Sequence, residues 1–374
     1  MSKLTNEIKE ELEKEKIAVE IEEPKKSSKL KKRIGIALFV IINAVVLYFT
    51  AKDEFSKPAP AYTEPFGITN VLFILGGLLC LAVVLMSETV KYMLMMKHLG
   101  EKVSFRIAFE TAALGKYYDC ITPSGAGGQP FQIYHLHAHG YSDGAASAMP
   151  LSGFFTMQFG FVILAIIVFI FNNNAVGDAI GIKVTAYIGA VTYMLVPAMI
   201  IISAVAPKIA MKIVAFFVKL GAKLHLVKKP NHTIMKAVKG LNNYSVSLKK
   251  IADNKGLLVQ LLILSVIFQS AIACMPFFAV HTFGGNLNFF HSFCMCIFIY
   301  AAITIVPTPG NSGAAEGSFY IIFSQLDTTG VFWAMLVWRF LSYYSFILIG
   351  LLVYGFRAIE KILKKKKEIK YESH

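Results

Sequence analysis

The residues of this chain best placed to do chemistry are a glutamate and an arginine in apolar surroundings. Glu316 follows the sequence Thr308-Pro-Gly-Asn-Ser-Gly313, and Arg339 stands in Leu336-Val-Trp-Arg-Phe-Leu341. A charged group within a membrane-length apolar run is a functional candidate by default. If Gly313 begins a helix, Glu316 lies at the third helical position, where a carboxylate binds free backbone amides. We predict that Glu316 either caps this helix or meets a cationic head group or a proton, and that Arg339 pairs with it or with a lipid phosphate.

The glutamate follows a sequence that the chain contains twice. Thr122-Pro-Ser-Gly-Ala-Gly-Gly128 and Thr308-Pro-Gly-Asn-Ser-Gly-Ala314 share a threonine, a proline and a glycine five residues after the threonine. Proline removes a backbone donor and glycine permits positive φ, so both copies should break a helix. Amides at the start of the next half-helix attract anions. The alternative is that both are tight turns that let helices pack. The predicted substrate-binding residues are Pro123, Gly125, Gly127, Gly128, Pro309, Gly310, Gly313, Glu316 and Arg339.

The composition indicates a polytopic membrane protein. Of the 374 residues, 56% are hydrophobic and 16% are charged, whereas soluble domains carry about 25% charged residues. Six apolar runs reach or approach the roughly 20 residues that a helix needs to cross the hydrocarbon layer. They cover 34–51, 68–96, 146–171, 179–206, 256–282 and 330–356. The fold class expected is therefore all-α, with about six transmembrane helices.

Charge in the links sets the expected topology. The links 97–106 and 207–255 are basic and should lie in the cytoplasm, whereas 172–178 has no base and should lie outside. The first repeat, in 103–142, then enters and leaves from the cytoplasm, and the second, in 287–329, from outside. Two re-entrant broken-helix hairpins in inverted repeats are typical of secondary transporters. The run 289–306 is long enough that full crossing is the alternative.

The remaining segments are charged. Residues 1–33 are predicted to be a cytoplasmic arm, 34–206 and 256–356 the two membrane halves, and 357–374 a basic cytoplasmic tail. Residues 207–255 contain eleven lysines and one acid, which indicates an amphipathic helix bound to anionic lipid of the inner leaflet. Ordinary positive-inside bias explains the same charge.

Other polar residues give weaker signals. Glu88 and Lys91 should form an ion pair on one helix face. Three charged residues of the first hairpin should line a cavity or lie at the membrane interface. His135 and His139 share a helix face, but no third metal ligand is evident from spacing. We therefore predict no metal, no cofactor, no catalytic residue and no bound nucleic acid. The three charged residues of the first hairpin are Glu110, Lys116 and Asp119.

The sequence Pro307-Thr-Pro-Gly-Asn-Ser-Gly-Ala-Ala-Glu-Gly-Ser-Phe319 resembles the signature of the lysylphosphatidylglycerol synthase transmembrane family, the flippase part of the multiple peptide resistance proteins. Pro123–Pro130, Trp338-Arg339 and Gly350 are also similar to that family, and the resemblance spans about 34–356. Asn311 departs from it, since the family more often has a second glycine there.

The charges that flank the apolar runs predict that both termini are cytoplasmic. The resemblance implies a bacterial cell-membrane protein that moves lysyl-phosphatidylglycerol or a related anionic or aminoacylated phospholipid between leaflets. Such activity is linked to resistance to cationic antimicrobial peptides. Full-length members carry a soluble domain that transfers lysine from lysyl-tRNA to phosphatidylglycerol. The chain ends about 18 residues after its last apolar run, so we expect that domain to be absent. The alternative is phosphatidylglycerol lysyltransferase activity, alone or with a separate soluble synthase.

Overall fold

The computed structural model describes residues 67–122, 125, 127–177, 179–223, 251–325 and 330–372, with Tyr48, Lys52 and short stretches between 230 and 249. The predicted arm 1–33, nearly all of the predicted crossing at 34–51, and Pro123 lie outside the described residues. The described residues all belong to the unit Val46–His374.

The described residues form helices joined by short links. The helices are α1 (Ile68–His98), α2 (Phe105–Ile121), α3 (Gly128–Ala138), α4 (Asp143–Phe171), α5 (Ile180–Val205), α6 (Pro207–Lys223), α7 (Lys255–Thr282), α8 (Phe289–Ile303), α9 (Ala314–Phe323), α10 (Val331–Arg339) and α11 (Ser345–Glu372). A short π-helix, Phe340–Tyr344, joins α10 to α11.

Five helical stretches among the described residues are long and apolar enough to cross a membrane. They are Ile68–His98, Asp143–Phe171, Ile180–Ile202, Lys255–Thr282 and Val331–Glu360. These stretches match five of the six predicted runs to within a few residues at most boundaries. The prediction of an all-α polytopic membrane protein is therefore confirmed.

Several helices begin where a polar side chain can satisfy a free backbone amide. The side chain of Ser104 accepts a hydrogen bond from the amide of Ile107 at the start of α2, and Asn254 accepts one from Leu257 at the start of α7. Ser142 and Asn288 do the same for α4 and α8. An N-terminal cap of this kind is worth about 1 kcal/mol, so these links define where each helix starts.

Both repeated sequences interrupt helices as predicted. The first lies between α2 and α3, and the second lies between α8 and α9. The backbone has positive φ at Gly125 in the first break and at Gly310, Asn311 and Gly313 in the second. Helix α8 has 15 residues, fewer than the roughly 20 needed to cross the hydrocarbon layer. The side of the membrane from which each hairpin enters stays a prediction.

Helix α7 is the centre of the packing, with α1, α4, α8 and α10 around it. Helix α11 packs along α2, and α5 packs along α8. Glycines allow the closest approaches: a Cβ atom on Gly160 of α4 would lie 3.0 Å from the backbone of Ser265 in α7. The hairpins are therefore fixed between long helices.

Helix α6 covers the start of the basic segment predicted at 207–255. Phe216, Phe217 and Leu220 are exposed on it beside Lys212 and Lys219. The rest of the segment, from 224 to 250, lies largely outside the described residues. The helix is present, and its binding to anionic lipid stays a prediction.

The contact between α5 and α8 gives a direct test of this packing. A Cβ atom on Gly189 would lie 1.9 Å from the carbonyl oxygen of Ala301, and backbone atoms cannot rotate away. We expect Gly189→Ala to destabilise the protein by about 1–3 kcal/mol, the usual cost of overpacking. The measurement is the thermal unfolding temperature of the purified protein in detergent.

The matched control is Gly181→Ala on the same helix, where nothing lies within 4 Å of the added atom. It should leave the unfolding temperature unchanged or raise it slightly, because alanine favours the helix. An equal effect of the two substitutions would contradict the α5–α8 packing.

Candidate functional site at the two helix breaks

The second break is closed by the glutamate and arginine singled out in the sequence. Glu316 Oε2 accepts a hydrogen bond from the amide of Gly313 at 2.6 Å, which is the predicted capping contact. Glu316 Oε1 accepts another from Arg339 Nε at 2.6 Å. Both residues are 4% exposed. The capping and the predicted pairing therefore coexist, with one carboxylate oxygen used for each.

Arg339 also holds the turn itself. Its Nη2 donates to the carbonyl of Gly310 at 3.2 Å and to the hydroxyl of Ser312 at 3.0 Å. The hydroxyl of Thr308 donates to the carbonyl of Ser312 at 2.9 Å. Groups that a broken helix would leave without partners are thus satisfied by neighbouring side chains, as an apolar environment requires.

The first break uses the same chemistry with different residues. Asp119 Oδ1 accepts a hydrogen bond from the amide of Gly128 at 3.0 Å, and the hydroxyl oxygen of Thr122 accepts one from the amide of Gly127 at 2.9 Å. The nearest cation, Lys116 Nζ, is 3.8 Å from Asp119 Oδ2. The side chains of Lys116 and Asp119 are 18% and 29% exposed, against 5% for each member of the Arg339–Glu316 pair. The first break is therefore the looser and more accessible one.

The two breaks differ in where the carboxylate lies along the chain. Glu316 follows its turn, whereas Asp119 precedes its turn. Aligning the two copies puts Pro130 opposite Glu316. Because Asp119 precedes the aligned segment, the alignment does not identify it as the counterpart of Glu316. A search for acidic residues within one helical turn of each break would have identified Asp119.

Amides predicted to be available for a phosphate already have partners. Those of Gly127, Gly128 and Gly313 bind Thr122, Asp119 and Glu316 respectively. An anion at these amides would have to replace an internal acceptor, and at two of the three that acceptor is a carboxylate. Side-chain cations are therefore better candidates for the recognition of a phosphate.

Tyr343 connects the two breaks. Its hydroxyl donates to the carbonyl of Cys120, in the last turn of α2, at 3.2 Å. The guanidinium of Arg339 lies 4.7 Å from the centre of its ring. A Cβ atom on Gly310 would lie 2.0 Å from the same ring, so only glycine fits there. Tyr343 belongs to the π-helix, a distortion that is frequent at functional sites.

Comparison with known proteins identifies the family of the chain. The family model described as the lysylphosphatidylglycerol synthase TM region matches residues 34–350. The chain belongs to this family. It is also 20% identical over 330 residues to a UPF0104 membrane protein of Archaeoglobus fulgidus, an alignment that covers 87% of this chain and 97% of that protein. The suspected family resemblance is therefore confirmed, and both breaks lie within the matched region.

A buried ion pair of α1 lies against α7. Lys91 is fully buried, forms an ion pair with Glu88, as predicted, and donates to the hydroxyl of Ser265 at 3.2 Å. The ring of Phe268 lies near both this pair and the first break, with Lys91 Nζ 5.9 Å and Lys116 Nζ 4.7 Å from its centre. Two cations therefore share one aromatic ring inside the bundle.

A second polar cluster joins the first hairpin to α11. Glu110 is the potential third ligand that spacing alone did not reveal, since its carboxylate and the rings of His135 and His139 have ligand atoms within 4.8 Å of one another. However, Arg357 Nη2 binds Glu110 and lies 3.2 Å from His135 Nε2 and 3.3 Å from His139 Nε2. The guanidinium of Arg357 therefore contacts all three of these potential ligands.

Burial and Arg357 determine the protonation of this cluster. Burial first, and then the charge of Arg357, lower the pKa of His135 to about 3. For Glu110, burial raises the pKa, but hydrogen bonds from Arg357 and Arg106 outweigh burial and hold the pKa below its usual range. At neutral pH the cluster is therefore a neutral histidine beside an ionised carboxylate.

The buried Arg339–Glu316 pair should be strongly coupled. We expect Glu316→Gln or Arg339→Met alone to destabilise the protein by about 3–5 kcal/mol, because each leaves one buried charge without a partner. The double variant should lose less than the sum of the two. The measurement is thermal unfolding in detergent, analysed as a double-mutant cycle.

The control is Glu360→Gln, which removes one partner of the exposed Arg106–Glu360 pair and should cost about 0–1 kcal/mol. Additive losses for Glu316 and Arg339 would show that the two residues do not act as a pair.

The low pKa of His135 predicts a pH dependence of stability. An unfolded histidine takes a proton near pH 6.5, whereas folded His135 resists protonation down to about pH 3. Its contribution is present above about pH 6.5 and is lost progressively as pH falls toward 3. His135→Gln should therefore reduce the fall in unfolding temperature between pH 7 and pH 5. His137→Gln removes only an exposed contact with Asp143, which is worth little, and should change the fall much less. Identical pH profiles for wild type and His135→Gln would contradict this account.

Proposed function

We propose that this family member translocates a phospholipid between the leaflets of the bacterial cell membrane. The proposed cargo is lysyl-phosphatidylglycerol or a related anionic or aminoacylated phospholipid, with both termini of the chain in the cytoplasm. Three features support the proposal. They are the match to the lysylphosphatidylglycerol synthase TM region, the helices of membrane-spanning length, and the interrupted helices that carry charged residues.

The observation that carries the proposal is the meeting of the two breaks at Tyr343. Transporters place substrate sites where interrupted helices from two repeats come together. Here the ring of Tyr343 packs against Gly310 of the second break, and its hydroxyl binds Cys120 beside the first. A polar path between leaflets requires such groups along the interface of two bundles, and a simple membrane anchor does not.

The two breaks are proposed to have different roles. Glu316 and Arg339 neutralise each other in a buried site, so we assign them to holding the second turn at Pro309, Gly310 and Gly313. The first turn, with Pro123, Gly125, Gly127 and Gly128, is proposed to lie beside the head group. This division changes the expectation that Arg339 and Glu316 contact the cargo directly.

The test is lipid exchange in liposomes reconstituted with the purified protein and a fluorescent phosphatidylglycerol that can be bleached from one side. Wild type should exchange lipid faster than protein-free liposomes. Tyr343→Phe should slow exchange by about 2- to 10-fold, because one hydrogen bond contributes about 0.5–1.5 kcal/mol to the coupling of the two breaks. Tyr344→Phe, at the adjacent exposed tyrosine, is the matched control and should exchange at the wild-type rate.

Exchange no faster than in protein-free liposomes would exclude the proposed function. Equal rates for wild type and Tyr343→Phe would exclude only the role of Tyr343, provided that both proteins unfold at the same temperature.

The family description favours aminoacyl transfer to phosphatidylglycerol as the second candidate function, by this chain alone or with a separate soluble synthase. The two candidates are separated by chromatography of lipids from a host that lacks aminoacylated lipids. A new aminoacyl lipid on expression of this chain alone would establish the transferase. Unchanged lipids together with exchange in liposomes would leave translocation as the function.

A further inference from the structure

Five cations near the two breaks and at the contact of α2 with α11 can be compared, and all but one of them are held by oxygen acceptors. Lys91 binds Glu88 and Ser265. Arg339 binds Glu316, Gly310 and Ser312. Arg106 binds Glu110 of α2 and Glu360 of α11, and Arg357 binds Glu110.

Lys116 is the exception among these residues. Its nearest polar contacts are the sulfur of Met157 at 3.7 Å and Asp119 Oδ2 at 3.8 Å. A thioether is a weak acceptor, and an ammonium–carboxylate hydrogen bond has a length of about 2.7–2.9 Å. Lys116 is therefore attracted to Asp119 by charge, without a hydrogen bond to it.

The surroundings of Lys116 favour an anion. The ring of Phe268 lies 4.7 Å from its ammonium, and Lys91 is near the same ring. The ring lowers the cost of keeping an ammonium away from water. Because Glu88 and Ser265 already bind Lys91, Lys116 is the cation of this pair that keeps hydrogen-bonding capacity for an anionic ligand. The side chain is 18% exposed, so a ligand can reach it, in contrast to Arg339.

We propose that Lys116 binds a phosphate group and that Asp119 is the internal anion it leaves when the phosphate arrives. The inference rests on the proposed function where the phosphate belongs to a lipid, and a free phosphate ion has the same chemistry. Asp119 does not lose all its partners in this exchange, because its Oδ1 still accepts the amide of Gly128. When phosphate replaces Asp119, the electrostatic attraction between Lys116 and Asp119, which binds the start of α3, is lost.

Binding is measured without transport, by titrating the detergent-purified protein with dihexanoyl-phosphatidylglycerol in a calorimeter. Wild type should bind this lipid and should not bind dihexanoylglycerol, which lacks the phosphate. Lys116→Met should weaken binding at least tenfold, and Lys116→Arg should retain most of it. Lys183→Met on α5, where the lysine contacts Asn174, is the matched control and should bind as wild type does.

A second variant has the opposite expected effect. Asp119→Asn removes the competing charge but keeps an oxygen that can accept the amide of Gly128, so it should bind the lipid at least threefold more tightly. This result supports the proposal even if Lys116→Met fails to fold. Unchanged affinity in both Lys116→Met and Asp119→Asn, or no binding by wild type, would overturn it.

Inorganic phosphate separates the two sources of ligand. If phosphate ion displaces the lipid from wild type at comparable concentration, Lys116 recognises phosphate itself. If only the lipid binds, the acyl chains of the lipid contribute to binding. Both results support the site. Binding that depends on Lys116, without lipid exchange in liposomes, would overturn the proposed function and keep the site. Exchange that is unaffected by Lys116→Met, with unaltered affinity, would overturn the site and keep the function.

Discussion

The hydrogen bond between the Gly313 amide and Glu316, together with the ion pair between Glu316 and Arg339, allows a helix to be interrupted inside an apolar bundle. A buried amide without a partner costs about 1–3 kcal/mol, and a buried carboxylate without a cation costs more. Glu316 meets both requirements because its two oxygens face different partners. The path of the chain from α8 to α9 depends on this arrangement.

The first break meets the same requirement less completely, and this difference organises the site. Asp119 satisfies the amide of Gly128 but lies 3.8 Å from its cation. A pair that lacks a hydrogen bond and remains partly exposed gains little from staying closed. The second break is therefore suited to hold the bundle together, and the first is suited to exchange partners with a ligand.

The helices and the Arg339–Glu316 pair could be predicted from sequence because their signals are local. Apolar run length sets a membrane-spanning helix, and an isolated charge in such a run must find a partner. The role of Asp119 could not be predicted by matching the repeats, because it acts from before its turn. Contacts of Tyr343 and Arg357 join residues more than 200 positions apart, and no spacing rule reaches that far.

The aromatic residue that touches both breaks, Tyr343, lies near the end of the π-helix. A π-helical turn contains an extra residue, which shifts the faces of the helix that follows relative to the helix before it. Arg339 ends α10 facing the second break, and Tyr343, one π-turn later, reaches toward Cys120 beside the first break. Residues four apart on a helix lie near one another on one face, and the guanidinium of Arg339 lies against the tyrosine ring. The hydroxyl of the same tyrosine binds the carbonyl of Cys120 beside the first break, so a change at either break is felt at Tyr343.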